Sequence, residues 1–214
     1  MVLAPTGIVP KPPTAFATHV TDLPVGAVLW RIHAEKLAGN VFNPGFGASR
    51  FAPIGPVRKR VPTAYAAQEF EAAVYETIFH DLDPAQPFKT YPLSKLGEVR
   101  CSVLRVTSPL ALRSFLAPDL MKLGLARNQL IDTPAHEFPD TRRWAAALHR
   151  KDVGTHGMVW ESRAYPSSLA MMFFGDRLPS GALSVVSSTR IDADPVLAMR
   201  FRALADRSGV TLIV

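Results

Sequence analysis

An arginine inside an apolar segment is the first side chain whose position suggests chemistry. Arg31 lies between Trp30 and Ile32 in the run Ala27–Ala34, which predicts a largely buried strand. A buried guanidinium needs an anionic partner. We therefore expect either a structural ion pair, with Glu76 as a candidate, or a phosphate group held by two hydrogen bonds.

A second arginine, Arg50, follows a loop of turn-forming residues. The stretch Gly39–Pro53 is rich in glycine, asparagine and proline, which favour turns over regular structure. The small residues of this loop allow a backbone to approach a phosphate closely, and Arg50 then adds its charge. The alternative is an arginine that is solvated at the surface.

A glutamate, Glu76, lies in the segment Gln68–Leu82, whose pattern predicts a helix. On a helix it shares a face with Ala72 and Ala73, whose small side chains leave room for a ligand. The alternative is an exposed helix carboxylate. His80 follows one turn later, either to tune Glu76 or as a surface histidine.

Two further polar side chains flank predicted strands. Tyr65 lies in the short strand Thr63–Ala67, where it forms an aromatic wall for a ligand or packs in the core. Ser162 follows an apolar strand, and no histidine lies predictably beside it, so we expect a hydrogen-bond donor that orients Glu76 rather than a nucleophile. An ordinary strand serine is the alternative. The preceding Glu161 either points outward or adds a second carboxylate.

The remaining apolar runs predict an α+β fold. Strands do not alternate regularly with helices, which favours mainly antiparallel pairing over a doubly wound parallel sheet. Two or three helical pieces are expected between Ser114 and Lys151. The other predicted elements are strands at Glu98–Thr107, Met158–Glu161, Leu169–Phe174, Leu183–Ile191 and Val210–Val214, and a helix at Pro195–Arg207.

Composition indicates a single globular domain. The chain has 214 residues, of which 48% are hydrophobic and 20% charged, enough apolar material for one core. We expect a proline-rich arm over residues 1–20 and a domain over residues 21–214. The lone Cys101 excludes an internal disulfide and suits a reducing compartment. No segment has the length of a membrane span or the pattern of a secretory signal, so the expected location is the cytoplasm.

A formal charge of +6 leaves several classes of partner open: nucleic acid, an acidic protein or an anionic small substrate. The densest basic run, Arg58–Arg60, is not interleaved with aromatics, as base stacking requires. A basic nucleic-acid-binding module remains an alternative. Dinucleotide-binding glycine motifs, Walker A motifs and nucleophile elbows are missing, and the histidines never have zinc-site spacing, so no metal is expected.

Three separated segments together resemble the RES family, toxins of bacterial toxin–antitoxin pairs that are named for an Arg, Glu and Ser signature. Their order and spacing hold from Val28 to Phe174. Ser49 and Phe51 stand where the family usually has glycine and tryptophan. The segments are Leu29–Arg31 with Ser49–Phe51, Tyr65–Ala67 with Ala72–Glu76, and Gly157–Arg163.

The resemblance implies a fold like that of ADP-ribosyltransferases of the diphtheria-toxin type, with two small, mainly antiparallel sheets and flanking helices around an NAD⁺ cleft. It implies NAD⁺ as a substrate, with no further cofactor. It also implies an antitoxin partner with an Xre-type helix-turn-helix domain, and neither nucleic acid nor membrane as a direct partner. Family members hydrolyse or phosphorolyse NAD⁺, and some transfer ADP-ribose to a protein.

The residue roles implied by the resemblance agree with the chemistry of such a reaction. Breaking the nicotinamide–ribose bond builds positive charge on the ribose, while nicotinamide leaves as a neutral molecule. The site therefore needs a fixed negative group rather than a general acid. We expect Glu76 to supply it, with Arg31 and Ser162 as further catalytic residues and with Arg31, Arg50 and Tyr65 binding NAD⁺. Hydrolysis or phosphorolysis that depletes NAD⁺ is the leading prediction, and protein ADP-ribosylation by the same residues is the alternative.

Overall fold

The backbone forms an eight-stranded sheet and a two-stranded sheet in this computed structural model, which describes residues 8–80, 82–83 and 85–214. The strands are β1 Val20–Leu23, β2 Val28–Ala34, β3 Thr63–Ala67, β4 Lys89–Pro92, β5 Val99–Val106, β6 Leu110–Ser114, β7 Gly157–Glu161, β8 Leu169–Phe174, β9 Leu183–Arg190 and β10 Val210–Ile213. The α-helices are α1 Phe70–Thr77, α2 Ala117–Lys122, α3 Phe138–Lys151 and α4 Pro195–Arg207. Short 3-10 helices span Val57–Lys59, Leu93–Glu98, Arg127–Gln129 and Ala135–Glu137.

The large sheet has the order β1-β6-β7-β8-β3-β2-β5-β9, and its strands pair antiparallel except for β6 with β7. β2 pairs with β5 along its whole length, but it meets β3 at the single pair Trp30 and Ala67. The sheet therefore consists of two parts that meet at one narrow junction. β4 and β10 form the second, parallel sheet. The α+β class with mainly antiparallel pairing is confirmed, with the strands divided eight and two.

The central strand β8 shows why the large sheet is buried on both faces. Ala170, Met172 and Phe174 belong to a core cluster on one face, while Met171 and Phe173 belong to a cluster on the other. The two-residue period of a strand directs alternate side chains to opposite faces, so a continuous apolar run covers both. Helix α3 packs on the first cluster, and helices α1 and α4 enclose a third.

Residues 8–19 lie against the domain ahead of β1. The indole nitrogen of Trp144 donates to the carbonyl of Pro10 at 2.7 Å, and Lys151 donates to the carbonyl of Pro13 at 2.8 Å. Phe16 is buried and meets Trp144 edge to face at 6.1 Å. The described part of the proline-rich segment thus packs on α3, whereas residues 1–7 of the expected arm lie outside the described residues.

Helix α1 is shorter than the predicted Gln68–Leu82. At its start, the amide of Gln68 still donates to Leu169 of β8, so the chain continues as an extension of β3. At its end, the amides of Ile78 and Phe79 both donate to the carbonyl of Val74, so the second bond spans five residues and the regular α-helical ladder stops there. Strands β1, β4 and β6 were not predicted, and β6 ends at Ser114, where helical structure was expected.

Two kinds of structure are absent from the described part of the chain. None of its helices has the length and apolar character needed to cross a membrane. Its histidine, cysteine and carboxylate side chains form no group of three or more that could hold a metal ion.

Candidate functional site

Two cavities meet at the end of α1, and Glu76 and His80 line both. The first, here called the loop cavity, has a volume of about 390 Å³ and lies between the segment 43–53 and strands β2 and β3. The second, here called the basic cavity, has a volume of about 380 Å³. Arg31, His33, Phe46 and Tyr65 are among the residues lining the loop cavity, and Arg50, Tyr75, Lys89, Arg163 and Ser208 are among those lining the basic cavity.

The carboxylate of Glu76 is held through one of its two oxygens. Oε1 accepts a hydrogen bond from Oγ of Ser162 at 2.8 Å and from the backbone amide of Arg163 at 3.2 Å. None of the described residues donates a hydrogen bond to Oε2. The carboxylate is therefore fixed in orientation at the boundary of the two cavities, with one oxygen left for a ligand.

The turn after β7 positions Ser162. Its amide donates to the carbonyl of Ser168 at 2.9 Å, and its own carbonyl accepts from Arg127 at 3.1 Å. Arg127 also forms an ion pair with Glu161 at 3.0 Å. Glu161 therefore stabilises this turn and lines neither cavity, so it is not a second carboxylate beside Glu76. Ser162 is fully buried, as suits a hydrogen-bond donor rather than a nucleophile.

Arg31 is buried without a carboxylate partner among the described residues. Its Nη1 donates to the carbonyl of Gly39 at 2.7 Å, and its Nη2 donates to the carbonyl of Val41 at 2.8 Å. Burial lowers the pKa of Arg31 to about 10. The expected structural ion pair with Glu76 is absent. The arginine instead holds the start of the glycine-rich loop against β2 and leaves its charge beside the loop cavity.

Tyr65 fixes the far end of the same loop. Its hydroxyl lies 3.0 Å from Oγ of Ser49 and accepts a hydrogen bond from the amide of Phe51 at 3.1 Å. Its ring meets Trp160 edge to face at 6.1 Å. Burial raises the pKa of Tyr65 to about 12, so the phenol stays neutral at ordinary pH. The tyrosine lines the loop cavity and also packs on the core, which combines the two expectations for it.

Arg50 is half-buried on the side of the basic cavity. Its Nη1 donates to the carbonyl of Ile131, and its guanidinium lies 5.3 Å from the centre of the Phe138 ring. Burial lowers the pKa of Arg50, the charge of Glu76 raises it, and the charge of Arg163 lowers it. Arg50 therefore lies close enough to interact electrostatically with Glu76 and with a second cation, Arg163.

Two expectations about helix α1 are wrong. Ala72 and Ala73 are buried in the core with Phe70, so they leave no room for a ligand. His80 lies beyond the end of the helix, where its Nδ1 is 2.9 Å from the carbonyl of Thr77. It is exposed, as expected for a surface histidine, but it lies after the helix rather than on it, and it lines both cavities.

Sequence reasoning gave no role to two cations of the basic cavity. Arg163 directly follows Ser162 in one of the segments that carry the family resemblance, a signal that could have identified it. Lys89 has no comparable signal, because it reaches the cavity through the pairing of β4 with the distant β10. Tyr75 and Ser208 complete this wall, with their hydroxyl oxygens 2.5 Å apart.

Comparison with known proteins identifies the family of this chain. The family model for the RES domain matches residues 28–196. The chain belongs to the RES-domain family. Among solved structures, this RES-domain protein is similar to the M. tuberculosis MbcT–MbcA toxin–antitoxin complex, with a TM-score of 0.60 and 16% identity over 83% of this chain and 90% of that one. This likeness shows a shared fold. No curated protein matches the chain.

Proposed function

We propose that this RES-domain protein breaks the nicotinamide–ribose bond of NAD⁺. The observation that carries the proposal is the carboxylate of Glu76, fixed by Ser162 and the amide of Arg163 at the boundary of two cavities. Fixed dipoles and charges of this kind stabilise a transition state because they need no reorganisation when charge develops. The family membership supports the same reaction class.

Breaking the nicotinamide–ribose bond requires a negative charge close to the ribose. As the bond between ribose C1 and the nicotinamide nitrogen breaks, its electron pair moves to the pyridine ring, which becomes neutral, and positive charge develops on the ribose. Oε2 of Glu76, which accepts no hydrogen bond from the described residues, stabilises that charge and accepts a hydrogen bond from a ribose hydroxyl. When the acceptor is water, its oxygen bonds to C1 and releases one proton to solvent; an unprotonated phosphate oxygen bonds to C1 without releasing a proton.

The other site residues bind and enclose the dinucleotide in this proposal. Arg31 and Arg50 supply positive charge from the two sides of Glu76, which favours an anionic substrate. Tyr65 forms a wall of the loop cavity and holds the end of the glycine-rich loop that lines it.

The direct test is release of nicotinamide from NAD⁺ by the purified protein, measured by chromatography. We expect Glu76→Gln to lower kcat about 100- to 1,000-fold, the scale typical for one electrostatic group of an active site. Glu69→Gln, at the start of the same helix and lining neither cavity, is the matched control and should retain activity. Equal rates for wild type and Glu76→Gln would refute the proposal.

The products of the same reaction identify the acceptor. Water gives ADP-ribose, inorganic phosphate gives ADP-ribose 1-phosphate, and a protein acceptor gives a labelled protein. Incubation with adenine-labelled NAD⁺, with and without phosphate and a bacterial extract, separates hydrolysis, phosphorolysis and protein ADP-ribosylation. The role of Glu76 is the same in all three, because it acts on the bond that breaks.

We further propose that the protein is a cytoplasmic toxin neutralised by an antitoxin with an Xre-type helix-turn-helix domain. Support comes from the family and from the shared fold of a structure described as a toxin–antitoxin complex. Induced expression in a bacterium should lower cellular NAD⁺ and stop growth, and Glu76→Gln should do neither. Co-expression of a helix-turn-helix protein encoded beside this gene should restore growth. Unchanged NAD⁺ on expression of the wild type argues against the toxin role.

A further inference from the structure

Among the described residues, the lining of the basic cavity has more cations than carboxylates. Arg50, Lys89 and Arg163 line it, and Glu76 is the one carboxylate among its described lining residues. Neither Lys89 nor Arg163 forms an ion pair or a side-chain hydrogen bond with any described residue. Cations that share one concave wall and have no partner in the described part of the chain indicate a site for an anion.

The position of Arg50 strengthens this interpretation. Arg50 and Arg163 line the same cavity; burial is the main cause that lowers the pKa of Arg50, Glu76 raises it, and the charge of Arg163 lowers it further, as expected for two guanidinium groups that repel each other. An anion between them would remove this repulsion. Phosphate oxygens suit such a site, because arginine binds them through paired hydrogen bonds and lysine through its point charge.

The loop cavity has a different character. Its arginine, Arg31, already donates from both terminal nitrogens to backbone carbonyls. The neighbouring His33 is buried, and burial lowers its pKa, so it adds no charge at neutral pH. The rest of the wall includes Phe46 and Tyr65. This cavity suits a planar ring better than a diphosphate, which carries two negative charges.

We propose that the basic cavity binds the ADP half of the dinucleotide, with Lys89 and Arg163 as diphosphate-binding residues, and that the nicotinamide half lies in the loop cavity. The two cavities are nearly equal in volume and share Glu76, so a nicotinamide ring in the loop cavity and a diphosphate in the basic cavity place the nicotinamide ribose beside that carboxylate. The assignment rests on NAD⁺ being the substrate. The competing arrangement places the diphosphate on Arg31.

Binding of ADP to the purified full chain, measured by calorimetry, tests the assignment without requiring turnover. We expect Lys89→Gln and Arg163→Gln each to weaken ADP binding about tenfold, as for loss of one charge-assisted hydrogen bond. The dependence of affinity on salt should also become shallower. Lys122→Gln, an exposed lysine of α2, is the control for charge alone and should bind ADP like the wild type. Thermal unfolding of each variant verifies that it is folded.

Kinetics with NAD⁺ provide a second measurement. Lys89→Gln and Arg163→Gln should raise KM for NAD⁺ about tenfold and change kcat by less than about threefold, because the two side chains bind a part of the substrate that does not react. In Arg163→Gln the backbone amide still donates to Glu76, so the carboxylate stays oriented.

The outcomes separate this assignment from the proposed reaction. If the wild type does not bind ADP, or if both variants bind it with wild-type affinity, the assignment is overturned even when NAD⁺ is cleaved. If Arg31→Lys weakens ADP binding while the Lys89 and Arg163 variants do not, the diphosphate lies in the loop cavity. If ADP binding depends on Lys89 and Arg163 but NAD⁺ stays intact, the reaction is wrong and the ADP site stands.

Discussion

Among the described residues, one side-chain hydrogen bond orients Glu76. Oγ of Ser162 donates to Oε1 at 2.8 Å, and the amide of Arg163 adds a longer contact at 3.2 Å. A carboxylate that is free to rotate stabilises a transition state less well, because the entropy lost in ordering its side chain raises the activation barrier. Ser162 is therefore a positioning residue that acts through Glu76.

We expect Ser162→Ala to lower kcat for NAD⁺ cleavage about tenfold and to leave KM within about twofold, since a hydrogen bond to a charged group contributes roughly 1.5–3 kcal/mol. Ser168→Ala is a matched control in the same turn, because the Ser168 hydroxyl is buried and has no hydrogen-bond partner among the described residues. Steady-state kinetics check both variants. An equal loss in both would assign the effect to the turn rather than to Glu76.

The single thiol should be inert in the folded protein. Cys101 is 2% exposed, and burial raises its pKa to about 12. The thiolate, which is the reactive form, is therefore scarce at pH 8. We expect iodoacetamide at pH 8 to label Cys101 only after denaturation, as measured by intact mass. Labelling of the native protein at the rate of a free thiol would contradict the buried placement in β5.

At the scale of elements, β7 links the core to the site. It lies between β6 and β8 and ends next to Ser162. At its first residue, Gly157, an added Cβ would stand 2.1 Å from the carbonyl oxygen of Met172 in β8. No side chain fits between these backbones, so the pairing of the two strands requires glycine at this position.

We expect Gly157→Ala to lower the free energy of unfolding by about 2–3 kcal/mol, as overpacking does in a tight core, and to reduce NAD⁺ cleavage by displacing Ser162. Urea unfolding and nicotinamide release measure the two effects. Gly154→Ala is the control, because nothing lies within 4 Å of a Cβ added there. A Gly157→Ala variant as stable as the control would show that β7 can shift without cost.

Elements with strong local patterns were predictable from the sequence, and those formed by distant contacts were not. The bounds of β3, β8 and α4 agree with the prediction; an apolar run marks β8 locally, and the aspartate cap Asp194 marks the start of α4. β4 was missed because it pairs with β10, far along the chain.

In the site, too, residues marked by a sequence motif were predictable and residues placed by distant contacts were not. The motif residues Glu76 and Ser162 were predicted, and the structure brings them into contact. The role of Arg31 as an anchor for the loop was not predicted, because its partners are backbone carbonyls, which have no sequence signature. Lys89 was not predicted as a site residue because it lies in β4, which pairs with a strand far along the chain. The expected partner of a buried charge cannot be identified from residue types alone.

At the scale of the whole molecule, the two parts of the large sheet need support beyond strand pairing. β2 and β3 share only the pair Trp30 and Ala67. Arg200 of α4 lies over this junction, with its guanidinium 5.1 Å from the centre of the Trp30 ring and 4.8 Å from that of Phe70. It also forms a bidentate ion pair with Glu71 of α1, with Nε donating to Oε1 at 2.9 Å and Nη2 donating to Oε2 at 2.8 Å. One side chain thus connects α4, α1 and β2.

Removing the Arg200 side chain tests whether its contacts from α4 stabilise the junction between β2 and β3. We expect Arg200→Ala to lower the free energy of unfolding by about 2 kcal/mol, through lost cation–π contact and lost packing of its alkyl stem. Hydrogen exchange of β2 amides near Trp30 should become faster, because the junction opens more often. Activity should fall as well, since α1 carries Glu76 and β2 borders the loop cavity.

The control for Arg200→Ala is Arg202→Ala, which removes an exposed arginine from the same helix. It changes net charge and helix propensity in the same way but leaves the junction intact. Urea unfolding and hydrogen exchange of both variants therefore isolate the contribution of the contacts with Trp30, Phe70 and Glu71. If the two variants unfold at the same urea concentration, the pairing of Trp30 in β2 with Ala67 in β3 is sufficient to hold the two parts of the sheet together. The contacts from α4 would then not stabilise the junction.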